Sequence, residues 1–394
     1  MGPGTLPRPV TSRSHIVPAV LGALIVGLMV AGVWAAVDLR RETVGGLDEP
    51  MATAVAELEA FVASARGLPF LEPVDVAVLD DAAFRRALSG GEPLEELDVD
   101  VETGVLRALG LVDEGDDLGP AGELDAATVA GFYDTETREL VVRGARLTPF
   151  VRQVLVHELV HALDDQHFDL EPDVVDDEAA LAFEALVEGN AVRIEARYLE
   201  SLPPGERRQA AAEEEATFGG GGGGGDGGGS VDALPEVFLH VGAFPYAEGP
   251  ELVAALLAAG GQARLDDAFR SPPTSSAEVL HPDRFLGGRG RARVPPVVAD
   301  GRLVDEGGGG ELGLRVILAQ SRPREQARRA AAGWAGDRYV AWQTGKRTCV
   351  RTAVVLDSAA EAGELVAALR QWGVDHPGTT VDPGPSAVTF TRCA

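Results

Sequence analysis

The spacing of apolar residues changes period along the chain, and each change predicts an element. Residues 47–66, LDEPMATAVAELEAFVASAR, read as a helix begun near Asp48, with Pro50 in its first turn. A short strand is predicted at 74–80 and mostly helix at 81–110. In Thr128–Gly144, TVAGFYDTETRELVVRG, apolar and polar residues alternate on both sides of Asp134-Thr135-Glu136-Thr137, the pattern of a β-hairpin. Thr148 and Pro149 then supply an N-cap and a first helical residue. The helix they open contains VLVHELVHALDDQHFDL, Val154–Leu170, and a second helix is predicted over Asp177–Tyr198. The run FGGGGGGGDGGGS, Phe218–Ser230, cannot hold regular structure and reads as a flexible loop. Beyond it come a helix at Pro250–Gly260, a Pro-rich ordered loop or short helix at Arg270–Phe285, and a helix at 311–332. The final stretch alternates: strand near Arg338–Gln343, strand Thr348–Leu356, helix Ala359–Trp372 and strand Ala387–Cys393.

One segment has no amphipathic period at all. Ile16–Val37, IVPAVLGALIVGLMVAGVWAAV, is uncharged over 22 residues. A helix of that length covers roughly 33 Å, enough to cross the hydrocarbon core of a bilayer. It exceeds the apolar part of an ordinary signal peptide, so an uncleaved transmembrane anchor is expected. The alternative is a protein secreted after signal cleavage, since Val33 and Ala35 suit a small-residue cleavage rule. Arg8 and Arg13 on one side nearly balance Arg40 and Arg41 on the other; the large C-terminal domain is placed outside the cytoplasm.

Composition narrows the function. The chain has 394 residues, enough for two or three domains, and a formal charge of −28. That charge argues against nucleic acid as a partner, because phosphate binding needs a basic face. Only two cysteines occur, Cys349 and Cys393, and neither lies in a Cys/His cluster, so a cysteine metal site is not expected. Both fall in predicted strands. A disulfide between neighbouring strands, in an oxidising compartment, and two separate buried residues fit equally.

The candidate chemistry lies in His157-Glu158-Leu159-Val160-His161. Residues four apart on a helix are offset by about 40° in rotation and about 6 Å along the axis, so both imidazoles can face one ion. Glu158 lies beside them, positioned to reach a water on the metal rather than the metal itself. Zinc lowers the pKa of its water towards neutrality, and a nearby carboxylate accepts the proton as a carbonyl is attacked. The plainer alternative is two histidines on a satisfied polar face. For a third ligand, His167 stands ten residues after His157, the spacing of HExxHxxGxxH. That pattern requires glycine where this chain has Asp164. Were the helix to continue, His167 would sit about 15 Å along the axis from His157. The second helix, with FEALVEGNAVRIEARY, places Glu184 and Glu188 on one face, and Gly189 and Ala191 allow a close helix approach. Glu188 is the expected ligand, with Glu184 and His167 as alternatives; two histidines and a glutamate leave a fourth position open for water.

The pieces VHELVHALDDQHFDL, ALVEGNA, PPTSSAEVLHP and GWAGDRY resemble HExxH metallopeptidases of the zincin type found in bacteria. The resemblance covers about residues 125–375 and is strong only at these motifs. It implies a gluzincin-like site: zinc on His157, His161 and Glu188, Glu158 as catalytic base, and the hairpin Phe132–Val142 as the edge strand along which a peptide lies. The chain departs from that pattern with Val192, not aspartate, four residues after Glu188, so the acid that orients a histidine must come from elsewhere.

The expected fold class is α+β. It comprises an N-terminal transmembrane helix, a mainly helical zincin-like metal domain with a small edge sheet, and an α+β C-terminal region. The expected boundaries are a polar tail at 1–15, the anchor at 16–37, a juxtamembrane helix at 38–66 and the metal domain at 67–205. A Gly-rich flexible loop at 206–232 and the C-terminal region at 233–394 follow. His281 in VLHPDRF and Tyr339 in GWAGDRYVAW are further candidates for stabilising an oxyanion; for His281 the plainer role is capping local backbone beside Pro282. The expected function is a membrane-anchored zinc metallopeptidase, an endopeptidase acting on peptide or protein substrates. A catalytically inactive zinc-containing envelope scaffold is the alternative, and oligomeric state is left open.

Overall fold

The computed structural model describes residues 49–84, 99–113, 129–144, 146–171, 176–218 and 235–394. Helix α1 (Glu49–Arg66) leads into strand β1 (Asp75–Leu79), and helix α2 spans Val99–Ala108. Strands β2 (Gly131–Asp134) and β3 (Glu139–Arg143) form the hairpin that the alternation predicts. In their sheet, of order β1-β3-β2, β1 runs parallel to β3 and β2 is an edge.

Helix α3 (Pro149–Phe168) begins as its capping residues dictate: the Thr148 side chain accepts a hydrogen bond from the Val151 N–H, and Pro149 opens the helix. Helix α4 (Asp177–Ser201) is capped by the Asp176 side chain, which accepts from the Ala179 N–H. It stops ahead of Pro203-Pro204, where the ring would clash with the preceding turn. Helix α5 (Pro204–Phe218) corrects the expectation of a flexible loop from residue 206. Its QAAAEEEAT segment is rich in strong helix formers, which outweigh its lack of an apolar stripe. The glycine run itself, 219–234, lies outside the described residues.

Helix α6 (Glu236–Arg270) is much longer than the predicted 250–260 segment and is kinked by non-helical backbone at Gly260 and Gly261. Short helices α7 (Ser276–Leu280) and α8 (Pro282–Leu286) follow. The C-terminal part contains β4 (Arg302–Gly307), α9 (Gly310–Ala319), α10 (Arg324–Ala331), β5 (Trp334–Thr344) and β6 (Arg347–Leu356), then α11 (Ala359–Asp375), β7 (Thr380–Pro383) and β8 (Val388–Cys393). The helix expected at 311–332 is two helices, because Pro323 has no N–H with which to continue the first. The five strands form an antiparallel sheet of order β4-β5-β6-β8-β7. The two strands that the pattern missed, β4 and β7, are its edges, half solvated and without apolar alternation. Cys349 and Cys393 lie directly opposite each other on β6 and β8 and are joined by a disulfide.

The α+β class holds, but its membrane-spanning element is corrected. Among the described residues no helix is long and apolar enough to cross a membrane. The longest, α6, carries Glu248, Glu251, Arg264, Asp266 and Asp267 along its length, charges that a bilayer core would not accept. Residues 16–37, where the anchor was expected, lie outside the described residues.

Helix α4 is the axis of the molecule. One face packs with α1, α3 and the small sheet through Leu155, Leu159, Leu163 and Ile194. The opposite face packs on α6 through Ala182, Leu186, Leu252 and Leu256. A third core, with Trp334, Leu369, Trp372 and Phe390, joins the C-terminal sheet to α9, α10 and α11, and also takes in Val105 and Ala108 of α2. Where α4 crosses α6, Gly189 meets Gly249 so closely that a Cβ on either would run into the main chain of the other helix. Main chain cannot rotate aside, so only glycine permits this separation.

Candidate metal centre

Helix α3 presents His157 and His161 one turn apart, and α4 brings Glu188 to them. The donor atoms of the three residues all lie within 4.8 Å of one another; His161 and Glu188 are buried and His157 partly so. Glu188 Oε2 is 3.0 Å from His157 Nε2, and Oε1 is 3.6 Å from His161 Nε2.

The donor set fits a cation. His157 Nδ1 lies 2.9 Å from Glu195 Oε2, so both ring nitrogens face carboxylates. A neutral imidazole has one N–H and can donate to only one of them. The other carboxylate then requires a proton on the ring or a cation between the two groups. His161 Nε2 and Glu158 Oε2 are buried without a hydrogen-bond partner. Such atoms are costly to bury, and a metal ion shared by the two Nε2 atoms and Glu188 would engage the histidine lone pair. The electrostatics agree. Burial alone would lower the His157 pKa, yet its bonds to Glu188 and Glu195 and the charges of Glu188 and Glu158 hold it well above the usual value. Burial would raise Glu188, yet the charge of His161, the hydrogen bond from His157 and the charge of His157 hold it well below the carboxylate range.

Two residues of the site escaped the sequence pattern. Glu195 supplies the orienting acid that Val192 cannot. It stands seven residues, two turns, after Glu188, and so lies on the same face of α4. Its other oxygen, Oε1, accepts a hydrogen bond from Gln153 Nε2 at 2.7 Å, which ties it to α3. Replacing Glu195 with alanine should weaken the affinity of the cluster for a metal ion about 10–100-fold, because it frees the His157 ring to rotate and exchange tautomers. Competition against a chromophoric chelator measures this; an unchanged dissociation constant would show that His157 needs no such support. The second missed residue is Tyr246 of α6. Its ring stacks on His157 with centroids 6.3 Å apart, and its hydroxyl hydrogen-bonds to Glu188. Burial, then the charges of Glu188, Glu184 and Glu158, push that hydroxyl well above its ordinary pKa. Tyr246 sits in FPYAEGP, with no spacing relation to HExxH, so only the Gly189–Gly249 crossing places it here.

The remaining candidates fall elsewhere. Asp164 does not break the helix; it is buried, with Oδ1 accepting from Arg66 Nε at 2.7 Å and Oδ2 from Asn190 Nδ2 at 2.6 Å. α3 therefore runs on to Phe168, and His167 Nε2 ends 2.8 Å from the Pro69 carbonyl oxygen. Glu184, one turn before Glu188, stays outside the donor set. Burial, then the charge of Glu188, push its carboxyl well above the usual range. His281 Nε2 lies 3.0 Å from both oxygens of buried Glu311. The Tyr339 hydroxyl donates to Asp305 Oδ2 at 2.6 Å, and its ring lines a cavity with Glu178 and Asp337. Glu178, pushed up to about 8 by burial, stands at the start of α4, ten residues and so about 15 Å from Glu188. Neither His281 nor Tyr339 joins the cluster.

Residues 300–392, the C-terminal sheet with its helices, match a family model described as "Domain of unknown function (DUF8575)". No match to the chain was found among curated proteins or solved structures. The metal cluster lies outside the matched residues.

Proposed function

We propose that the protein is a zinc-dependent peptidase whose ligands are His157, His161 and Glu188 and whose general base is Glu158. The observation that carries the reading is the placement of Glu158. It is next to the cluster, its Oε2 is buried without a partner, and the edge strand β2 lies against it. Bound there, zinc supplies a Lewis acid and a water acidic enough to lose a proton near neutral pH. The other parts belong to the chain. Glu158 takes up the proton; burial has pushed its carboxyl upward, towards the range in which a base works near neutrality. The Tyr133 backbone N–H bonds to the Glu158 carboxylate, and a Cβ on Gly131 would lie 3.4 Å from Glu158 Cγ.

Gly131 and Tyr133 both turn their backbone groups away from β3, since Ala130 O accepts from Arg143 N and the pattern alternates from there. An extended peptide added along this edge would pass the base with chain on both sides, which suits an endopeptidase. With Glu188 held by a cation, Tyr246 would be released to turn its single O–H toward the substrate carbonyl oxygen. The disulfide supports an extracytoplasmic, oxidising setting.

Purified protein should contain about one zinc per chain and cleave members of a mixed peptide library read by mass spectrometry. Chelation should stop cleavage and added zinc restore it. Glu158→Gln should keep its zinc while kcat/KM falls about 10²–10⁴-fold. Undiminished turnover in that variant rejects the assigned base. Stoichiometric zinc with no cleavage in the wild type would instead favour a zinc-containing binding or scaffold protein.

A further inference from the structure

Among the described residues, Glu184 is an acidic side chain near the cluster that takes no part in the ligand set, the base assignment or the orienting role of Glu195. It projects from α4 one turn before Glu188, near enough that its charge acts on both Glu188 and the Tyr246 hydroxyl. Its Oε1 is buried without a hydrogen-bond partner, while the residue as a whole is partly exposed, so the carboxylate is open on one side only. Tyr246, beside it, is also partly open, at 36%.

Every other buried acid on α4 that this structure describes has found a donor. Glu178 accepts from the Ser276 N–H and Oγ, and Glu188 and Glu195 face His157. Glu184 has none of these, and no arginine from a neighbouring element reaches it. A second metal does not account for it, because its oxygens stay outside the donor group that spans 4.8 Å. A half-buried carboxyl without a donor is costly to ionise and stays neutral until a cation arrives from outside to pair with it. The formal charge of −28 draws such a molecule towards the protein.

We propose that Glu184 is a specificity-determining residue that receives the positively charged group of a cationic peptide. That group is an ammonium or guanidinium, either the free α-amino terminus or a Lys or Arg side chain close to the scissile bond. The inference rests on the peptidase reading for its substrate, though not for its binding chemistry.

Three peptide sets of equal length decide it on the full chain loaded with zinc: free N-terminus without Lys or Arg, N-acetylated with one Lys or Arg, and N-acetylated neutral. Wild type should show at least about a tenfold higher kcat/KM for one of the charged sets than for the neutral set. In Glu184→Gln that ratio should fall to about twofold or less, with zinc content unchanged. Which charged set is preferred identifies the source of the cation. Calorimetric binding of the same peptides to both proteins, below any turnover, should give the same ranking. If nothing is cleaved but charged peptides still bind in a Glu184-dependent way, the peptidase reading fails and the cation site stands. Equal treatment of all three sets in both measurements, a preference that survives in Glu184→Gln, or loss of zinc from that variant overturns the proposal.

Discussion

Replacing Glu188 with alanine is expected to abolish metal binding at the proposed site while leaving the fold in place. In the proposed site three ligands would share the zinc, and binding energies for protein zinc sites run to roughly 10–16 kcal/mol. Losing one of three should therefore weaken binding on the order of 10³-fold, enough to empty the site during dialysis against a mild chelator. The fold should survive because the neighbouring contact of Asn190 with Asp164, at 2.6 Å, does not depend on Glu188. The controls carry the discrimination. His167→Ala removes only a bond to the Pro69 carbonyl and should keep one zinc per chain. Elemental analysis of the two variants side by side tests the ligand assignment; full zinc in Glu188→Ala rejects it.

The largest stability effect is expected at Arg66. This side chain is fully buried; its Nε donates to Asp164 Oδ1 and its Nη1 to Asp266 Oδ1, both at 2.7 Å, and its guanidinium stacks over Phe168 and Phe269. It joins the end of α1 to α3 and α6, and through Asp164 to Asn190 on α4. Arg66→Met keeps most of the volume but leaves Asp164 buried without the guanidinium bonded to it. Breaking a buried pair from one side costs about 3–5 kcal/mol, far more than the pair contributes net. Urea denaturation would read this as a lower midpoint with an unchanged slope. Asp164→Asn, alone and combined with Arg66→Met, completes a double-mutant cycle. Purely additive losses would show that the two residues are not coupled.

How much could be read from the sequence follows from what each residue depends on. His157, Glu158 and His161 are set by one helix period, and Thr148 and Pro149 start that helix through bonds made within four residues. Such features are local, so pattern alone locates them. Glu188 was reachable because a carboxylate and a small residue sit together on the next helix. Val192 correctly indicated a missing acid, but Glu195 lay one turn further along the same face. Tyr246 was out of reach because its position comes from a glycine-to-glycine crossing between two distant helices. The same holds for Arg66, whose partners are 98 and 200 positions away. His281 and Tyr339 each looked chemically apt, but Glu311 and Asp305 already hold them outside the cluster. The edge strands β4 and β7 left no alternation to detect, being half solvated.

The contacts of the metal centre and those of its buried lock differ in span along the chain. His157 and Glu188 are 31 positions apart, on two successive helices, whereas Arg66 must wait for Asp266, 200 positions away. Closing a longer loop costs more chain entropy, so contacts between near neighbours form before those between remote ones. During refolding, the helix pair should acquire its zinc-binding competence ahead of the guanidinium lock. A zinc-sensitive fluorescent chelator added to a refolding reaction would then report metal uptake before the Arg66-dependent resistance to urea is regained. The centre would thus be an early landmark of chain assembly, available as a nucleus on which α1 and α6 later close.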